Sequence, residues 1–152
     1  MAVRVQREDF DPGHEIARMG AADRGIGAVV SFTGLVRDLA GEAAIGAMTL
    51  EHYPGMTEKE LARVEAEARA RWRLADCLIV HRHGRLEPGE RIVLVVTASA
   101  HRDDAFEACR FLIDWLKTRA PFWKQEETGQ GERWVAARES DDRAAERWLK
   151  PG

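Results

Sequence analysis

The chain has 152 residues, a hydrophobic fraction of 45% and a charged fraction of 32%, values typical of one globular domain with a sizeable core. Its formal net charge of -3 excludes an overall basic field that would attract nucleic acid, so any anion site must be local. The longest apolar runs are too short to cross a bilayer and the first residues lack the apolar core of a signal peptide, so we expect a cytoplasmic protein without a membrane partner.

The first third of the chain predicts one helix followed by two strands. In DPGHEIARMG, Asp11 is placed to cap a helix that begins at Pro12, with Ile16 and Met19 on one face. GIGAVVSFTGLVR predicts a buried strand that runs into a loop, and AMTLEHY predicts another strand.

A second helix is predicted after HYPGM. The segment TEKE has the pattern of a capping box, in which Thr57 accepts from the amide of Glu60 and the Glu60 carboxylate reaches back. Apolar residues then follow at helical spacing: Leu61, Val64, Ala68 and Trp72.

The second half predicts two strands, a long helix and a hairpin. DCLIVHRHG and RIVLVVTASA are strands joined across the turn EPGE, and DDAFEACRFLIDWLK is a helix that Pro121 ends. FWKQEETGQGERWVAA predicts a hairpin across Gly129 and Gly131, and DDRAAERW a last short helix. Mixed helices and antiparallel hairpins indicate an α+β fold in a single domain over residues 1–152. The inner face of the long helix is predicted to be Phe106, Cys109, Leu112, Ile113 and Leu116.

The segment LKTRAPFWKQEE places two lysines beside apolar residues. If residues 122–127 form a strand, Phe122, Lys124 and Glu126 share one face, and Lys117 lies just before it at the helix end. Two amines in one site disfavour each other's protonation, so such a lysine can act as a base or a nucleophile. The alternative is a pair of solvated lysines with a surface ion pair.

Further polar residues fall at predicted strand ends, where binding sites often lie. Arg37 follows the strand FTGLV, His101 and Arg102 precede the long helix, and Arg138 follows the hairpin. Arginine suits phosphate binding, although solvated surface residues are the alternative for each of these positions.

The histidines and cysteines carry no metal or thiol site in this interpretation. His81 and His83 would point to one face of a strand, and only His101 is conceivable as a third zinc ligand, so we expect polar strand-end histidines and no metal. Cys77 and Cys109 lie in apolar segments outside any CxxC pair, so we expect them to pack as small hydrophobic residues.

Four segments together resemble the catalytic (large) subunit of molybdopterin synthase. They are LEHYPGMTEKEL, IVHRHGRLEPGE, SAHRDDAFEA and LKTRAPFWKQE, and the similarity covers about residues 25–148. The resemblance implies an α/β hammerhead fold with an added antiparallel β subdomain. It implies that the chain transfers sulfur to cyclic pyranopterin monophosphate, giving the dithiolene of molybdopterin, without a cofactor of its own.

The resemblance also implies partners. The sulfur donor is a thiocarboxylate on the C-terminal Gly-Gly of a small ubiquitin-like subunit. Two large subunits form a central dimer with a small subunit at each end, giving a heterotetramer. Because the partner brings the sulfur, no cysteine of this chain is needed for the chemistry.

The family's site residues map onto matching positions here. Lys117 and Lys124 fall on the two catalytic lysines, and Arg138 on an arginine that reaches the site from the neighbouring large subunit. The remaining positions match the substrate-binding set: Phe32, Leu35, Val36, Arg37, His101, Arg102, Gln125 and Glu126.

Two other functions remain compatible with the residues alone. One is a Schiff-base enzyme that uses Lys117 on a phosphorylated metabolite, which borohydride trapping without a partner protein would reveal. The other is a non-catalytic module that binds phosphate or nucleotide, in which substitution of Lys117 weakens binding without removing any turnover.

Overall fold

The computed structural model describes residues 2–21, 23–37, 45–128, 131–135 and 146–149, with the backbone alone for residues 45, 125–128 and 131–135. Its helices are α1 (Pro12–Ala21), α2 (Met56–Arg71) and α3 (Arg102–Thr118). Its strands are β1 (Ala2–Gln6), β2 (Ala28–Leu35), β3 (Ile45–His52), β4 (Asp76–Arg82), β5 (Gly84–Leu86), β6 (Arg91–Ser99), β7 (Phe122–Thr128) and β8 (Gly131–Val135).

The described strands form two four-stranded sheets. The first sheet has the order β1-β4-β6-β2, with β1 parallel to β4 and the other pairs antiparallel. The second sheet has the order β5-β3-β7-β8 and is antiparallel throughout. This arrangement confirms the predicted α+β class with an added antiparallel subdomain.

The first sheet is buried on both faces, which explains the continuous apolar run of β6. Val93 and Val95 face a main core shared with α2, α3 and the second sheet, whereas Leu94 and Val96 face a smaller core under α1. Burying one such side chain contributes about 1.5–3 kcal/mol. The first sheet therefore forms the centre of the fold, and α3 packs against one of its faces.

The predicted start of α1 is confirmed. Asp11 Oδ1 accepts a hydrogen bond from the His14 N–H at 3.2 Å, as an N-cap residue does, and Pro12 is the first helical residue. Met19 is buried in the smaller core and Ile16 packs against it.

The predicted capping box at Thr57 is wrong, because α2 begins earlier than expected. Its N-cap is Gly55, which has φ +86°, a conformation that glycine adopts without strain. The Glu58 carboxylate, rather than that of Glu60, accepts from the Gly55 N–H at 2.6 Å. Thr57 lies inside the helix, and its hydroxyl donates to the Tyr53 carbonyl at 2.7 Å.

The predicted inner face of α3 is partly wrong. Cys109 and Leu112 are buried, and Ile113 and Leu116 pack against the core, but Phe106 is 60% exposed. The buried face is rotated toward its other edge and is formed by Ala105, Ala108, Cys109, Phe111, Leu112 and Trp115. Small alanines allow the helix to lie close to β6, where the Thr97 hydroxyl donates to the Ala105 carbonyl at 2.7 Å.

Two further expectations concern the connections. The segment between β4 and β6 is not a simple turn, because it contains β5, which pairs with β3 in the second sheet. The hairpin of β7 and β8 is confirmed, with Thr128 opposite Gly131. The predicted helix in DDRAAERW lies outside the described residues except for its end. None of the helices in the described ranges is long and apolar enough to span a membrane.

Candidate active site

The two lysines flank the short connection between α3 and β7. Lys117 is an exposed residue in the last turn of α3, and Lys124 is a half-buried residue of β7. Only residues 119–121 separate the two elements, and the Phe122 N–H donates to the Ala120 carbonyl at 2.8 Å within this tight turn. The end of the helix and the start of the strand are therefore held close together.

Lys117 lies at the same end of the first sheet as the end of β2. The helix α3 follows β6 after two residues and packs back over β6 and β2, so its C-terminal end returns toward the start of β6. At that end Leu35 pairs with Arg91, and His81 pairs with Val93.

Four rings meet beside the lysines and form what we call the ring cluster: His52, His81, His83 and Phe122. His81 of β4 is stacked on Phe122 of β7, with ring centroids 3.8 Å apart and planes 16° apart. His52 of β3 lies 6.0 Å from Phe122 and 4.4 Å from His83 between centroids. The ring cluster joins the first sheet to the second at the base of Lys124.

The His81 ring is neutral and has a fixed tautomer. Its Nδ1 lies 2.8 Å from the Arg82 carbonyl, which can only accept, so Nδ1 carries the proton. Burial, together with the positive charges of Lys124 and Lys117, lowers the pKa of His81 to about 3. Both lysines therefore lie close enough to His81 for their charges to affect the same ring.

The substrate-binding candidates of the β2 end have different exposures. Leu35 and Arg37 are exposed, and Phe32 is half-buried against the main core. Val36 is 3% exposed, and its N–H donates to the Glu90 carbonyl at 2.8 Å. Val36 therefore anchors the chain between two side chains that face outward.

His101 and Arg102 lie away from the lysines within one chain. His101 is the N-cap of α3 and Arg102 its first residue, and both are exposed. At 1.5 Å per residue, Arg102 and Lys117 are about 22 Å apart along the helix. One copy of the chain does not bring these residues to the lysines.

Of three other candidates, the structure describes two in part and one not at all. Gln125 and Glu126 belong to β7, where they pair with Thr49 and Met48, but their side chains lie outside the described residues. Arg138 lies outside the described residues altogether.

Sequence reasoning missed His52 as a member of this site. His52 is directly opposite Phe122 in the antiparallel pair of β3 and β7, and its Nδ1 lies 3.1 Å from the Thr57 hydroxyl. Since that hydroxyl donates to the Tyr53 carbonyl, it accepts from His52. The register between two distant strands is needed to find this contact, and the sequence alone does not contain it.

Neither metal nor thiol chemistry is visible in the part of the chain that the structure describes. That part contains no group of three or more His, Cys, Asp or Glu that could hold a metal ion. Burial raises the pKa of the Cys77 thiol, and it raises the pKa of Cys109 to about 12. Both cysteines are protonated and buried in the main core, as the sequence predicted.

Two of the surface cavities in the described part of the chain lie away from the lysines. One, of about 360 Å³, is lined by Arg4, Glu15 and Cys77 between β1, α1 and β4. The other, of about 330 Å³, lies between α2 and α3 and is lined by Arg71, Phe111 and other residues. Neither contains the lysines.

Comparison with known proteins gives a consistent set of relatives. Residues 5–119 match the family model described as MoaE protein. The molybdopterin synthase catalytic subunit of Pseudomonas aeruginosa is 59% identical over 97% of this chain and 99% of its own length. A molybdopterin biosynthesis MoaE protein structure from Burkholderia ambifaria has a TM-score of 0.83 and 52% identity, covering 99% of both chains. A molybdopterin synthase structure from Staphylococcus aureus has a TM-score of 0.80 and 31% identity, covering 88% of this chain and 96% of that one.

Proposed function

The chain belongs to the MoaE protein family, and from this we infer that it is the catalytic subunit of a molybdopterin synthase. The enzyme transfers sulfur to cyclic pyranopterin monophosphate and forms the dithiolene of molybdopterin. We place this activity in the cytoplasm. The site assignment is supported by the tight turn of residues 119–121, which joins the helix end that carries Lys117 to the strand that carries Lys124. The charges of both lysines also lower the pKa of the buried His81 ring.

The partner supplies the sulfur as a C-terminal thiocarboxylate on a small ubiquitin-like subunit. A new carbon–sulfur bond forms on the pterin while a carbon–oxygen bond at the same carbon breaks, and the oxygen leaves with the opened phosphate or as water. A further water then cleaves the bond between the sulfur and the acyl carbon, which leaves the small subunit as a carboxylate. Two such transfers complete the dithiolene. Since Cys77 and Cys109 are buried and protonated, neither thiol is placed to relay sulfur.

The two lysines are proposed to move the protons of these steps. The attack, the opening of the cyclic phosphate and the hydrolysis each require a proton to be accepted or supplied. Lys117 is exposed and free to reach a substrate, whereas Lys124 is half-buried beside the ring cluster. A covalent link between Lys117 and the partner or substrate is an additional route for the same amine.

Phosphate binding is proposed to involve two copies of the chain. Arg37 lies at the same end of the first sheet as Lys117, but His101 and Arg102 lie at the other end of α3. In a dimer of large subunits, the second copy would bring its own His101, Arg102 and Arg138 to the site that contains Lys117. Arginine binds a phosphate through paired N–H groups, which suits this task.

The decisive experiment is reconstitution. Purified protein is incubated with thiocarboxylated small subunit and cyclic pyranopterin monophosphate, and the dithiolene product is detected. Product formation that depends on all three components supports the proposal. Borohydride trapping of a phosphorylated metabolite on Lys117 without the small subunit would instead indicate a Schiff-base enzyme.

A further inference from the structure

His81 is a polar residue at the end of an apolar row. Side chains alternate along β4, so Cys77, Ile79 and His81 face the same side, and the first two belong to the main core. His81 is only 7% exposed. Burying a polar ring costs free energy unless its polar atoms are satisfied, so an apolar residue would be the cheaper choice for packing alone.

Two contacts fix the orientation of this ring. The Nδ1–H donates to the Arg82 carbonyl at 2.8 Å, and one face of the ring stacks on Phe122 at 3.8 Å. With the proton on Nδ1, the remaining nitrogen, Nε2, is a hydrogen-bond acceptor. The ring therefore presents one lone pair in a fixed direction.

Among the described residues, three basic side chains on other elements act on the His81 ring. Lys124 comes from β7, Lys117 from α3 and His52 from β3, and each disfavours the protonated form of His81; Arg82 is the next residue on its own strand. Phe122 and Lys124 lie two residues apart on one face of β7, about 7 Å along the strand. The amine of Lys124 is thus within reach of the ring that Phe122 holds.

We propose that His81 is a positioning residue, whose Nε2 accepts a hydrogen bond from Nζ of Lys124 and directs that amine into the site. This inference rests on the proposed function for its catalytic consequence. A histidine suits the role better than a carboxylate, because it orients the amine without forming an ion pair that would hold it protonated. It also suits the role better than a phenylalanine, which would pack equally well but accept nothing.

Three substitutions of His81 separate orientation from packing. His81→Gln places an amide oxygen near the position of Nε2, His81→Asn reaches only the position of Nδ1, and His81→Phe keeps the stacked ring without either nitrogen. We expect kcat to fall about 10- to 100-fold in the Asn and Phe variants, since a hydrogen bond to a charged group is lost. The Gln variant should retain kcat within about fivefold of the parent, and KM for the pterin should change less than about threefold in all three.

A control for the loss of an imidazole comes from His14 of α1, which lies outside the ring cluster. His14 is exposed. His14→Phe should keep the parental kcat. A folded His81→Phe variant with parental kcat, or equal losses in the Gln and Asn variants, would overturn the proposal.

A spectroscopic measurement tests the hydrogen bond without any substrate. Histidine ¹⁵N spectra of the complete chain should show His81 as the neutral Nδ1–H tautomer at pH 5 to 8, with its Nε2 resonance displaced in Lys124→Met. A ring that becomes protonated within that pH range, or an Nε2 resonance unchanged by Lys124→Met, refutes the inference. If the parent protein forms no product in the reconstitution, the proposed function fails, and this spectrum still decides the role of His81.

Discussion

Substitution of Lys117 separates proton transfer from simple charge. Lys117 is exposed in the last turn of α3, where its charge interacts with the helix dipole. Such an interaction is worth about 0.3–1 kcal/mol, so Lys117→Ala should unfold only slightly more easily than the parent. Loss of a group that moves a proton costs about 100- to 10,000-fold in rate, or about 2.7–5.5 kcal/mol of barrier. The effect on turnover should therefore greatly exceed the effect on stability.

The arginine variant gives the sharper test. Arginine keeps the positive charge but stays protonated at neutral pH, so Lys117→Arg should lose product formation almost as completely as Lys117→Ala. Both variants should still bind the small subunit, because most of that interface would lie outside the pocket. The assay combines single-turnover product formation, binding of the small subunit and thermal unfolding.

Lys59, an exposed residue of α2, provides the control. Lys59→Ala and Lys59→Arg should match the parent in all three measurements. Turnover by Lys117→Arg close to that of the parent would refute a role in proton transfer or nucleophilic attack. Lys117 would then act as a clamp for phosphate.

The remaining predictions concern pH, sulfur and metal. Burial is the main cause that lowers the pKa of His81 to about 3 in the folded protein. Between this pH and about 6.5, the unfolded chain therefore binds more protons than the folded chain. The contribution of His81 to stability is complete above this pH range and is lost as the pH falls through it. The free energy of unfolding should fall by about 1.6 kcal/mol from pH 6.5 to 5 in chemical denaturation, and an equal slope in His81→Phe would contradict the assignment. Cys77→Ala combined with Cys109→Ala should keep most turnover while losing a few kcal/mol of stability, about as much as other buried truncations; a folded double variant without any product would disprove transfer from the partner. Treatment with a chelator should leave activity unchanged, whereas stoichiometric zinc whose removal abolishes turnover would show that His81 and His83 were misinterpreted.

The sequence predicted the elements whose signals are local. The cap at Asp11 and the start of α1 at Pro12 depend on neighbouring residues, and both were confirmed. Phe106 was placed inside because helical spacing puts it on one face with Cys109 and Ile113, but the buried face of α3 is the one on which Ala105 and Ala108 lie close to the sheet. The three residues of β5 escaped prediction because such a short strand is defined by its partner β3 rather than by its own composition.

The sequence predicted only those members of the candidate site that a short stretch of chain connects. Lys117 and Lys124 could be paired because a short turn joins their elements. His52 required the register of β3 against β7, which is set by contacts distant in sequence. The separation of His101 from Lys117 follows from the length of α3, since the two residues lie near opposite ends of one straight element.

Between β4 and β5, the chain passes from the first sheet to the second through a single residue. His83 alone separates Arg82, the last residue of β4, from Gly84, the first residue of β5, and the chain returns to the first sheet at Arg91. Gly84 has φ +92°, so the sharp change of direction depends on glycine. A crossing this short leaves no slack for one sheet to detach while the other stays folded. The molecule should therefore lose both sheets in one cooperative transition, and a fragment that contains only the second sheet should not fold by itself.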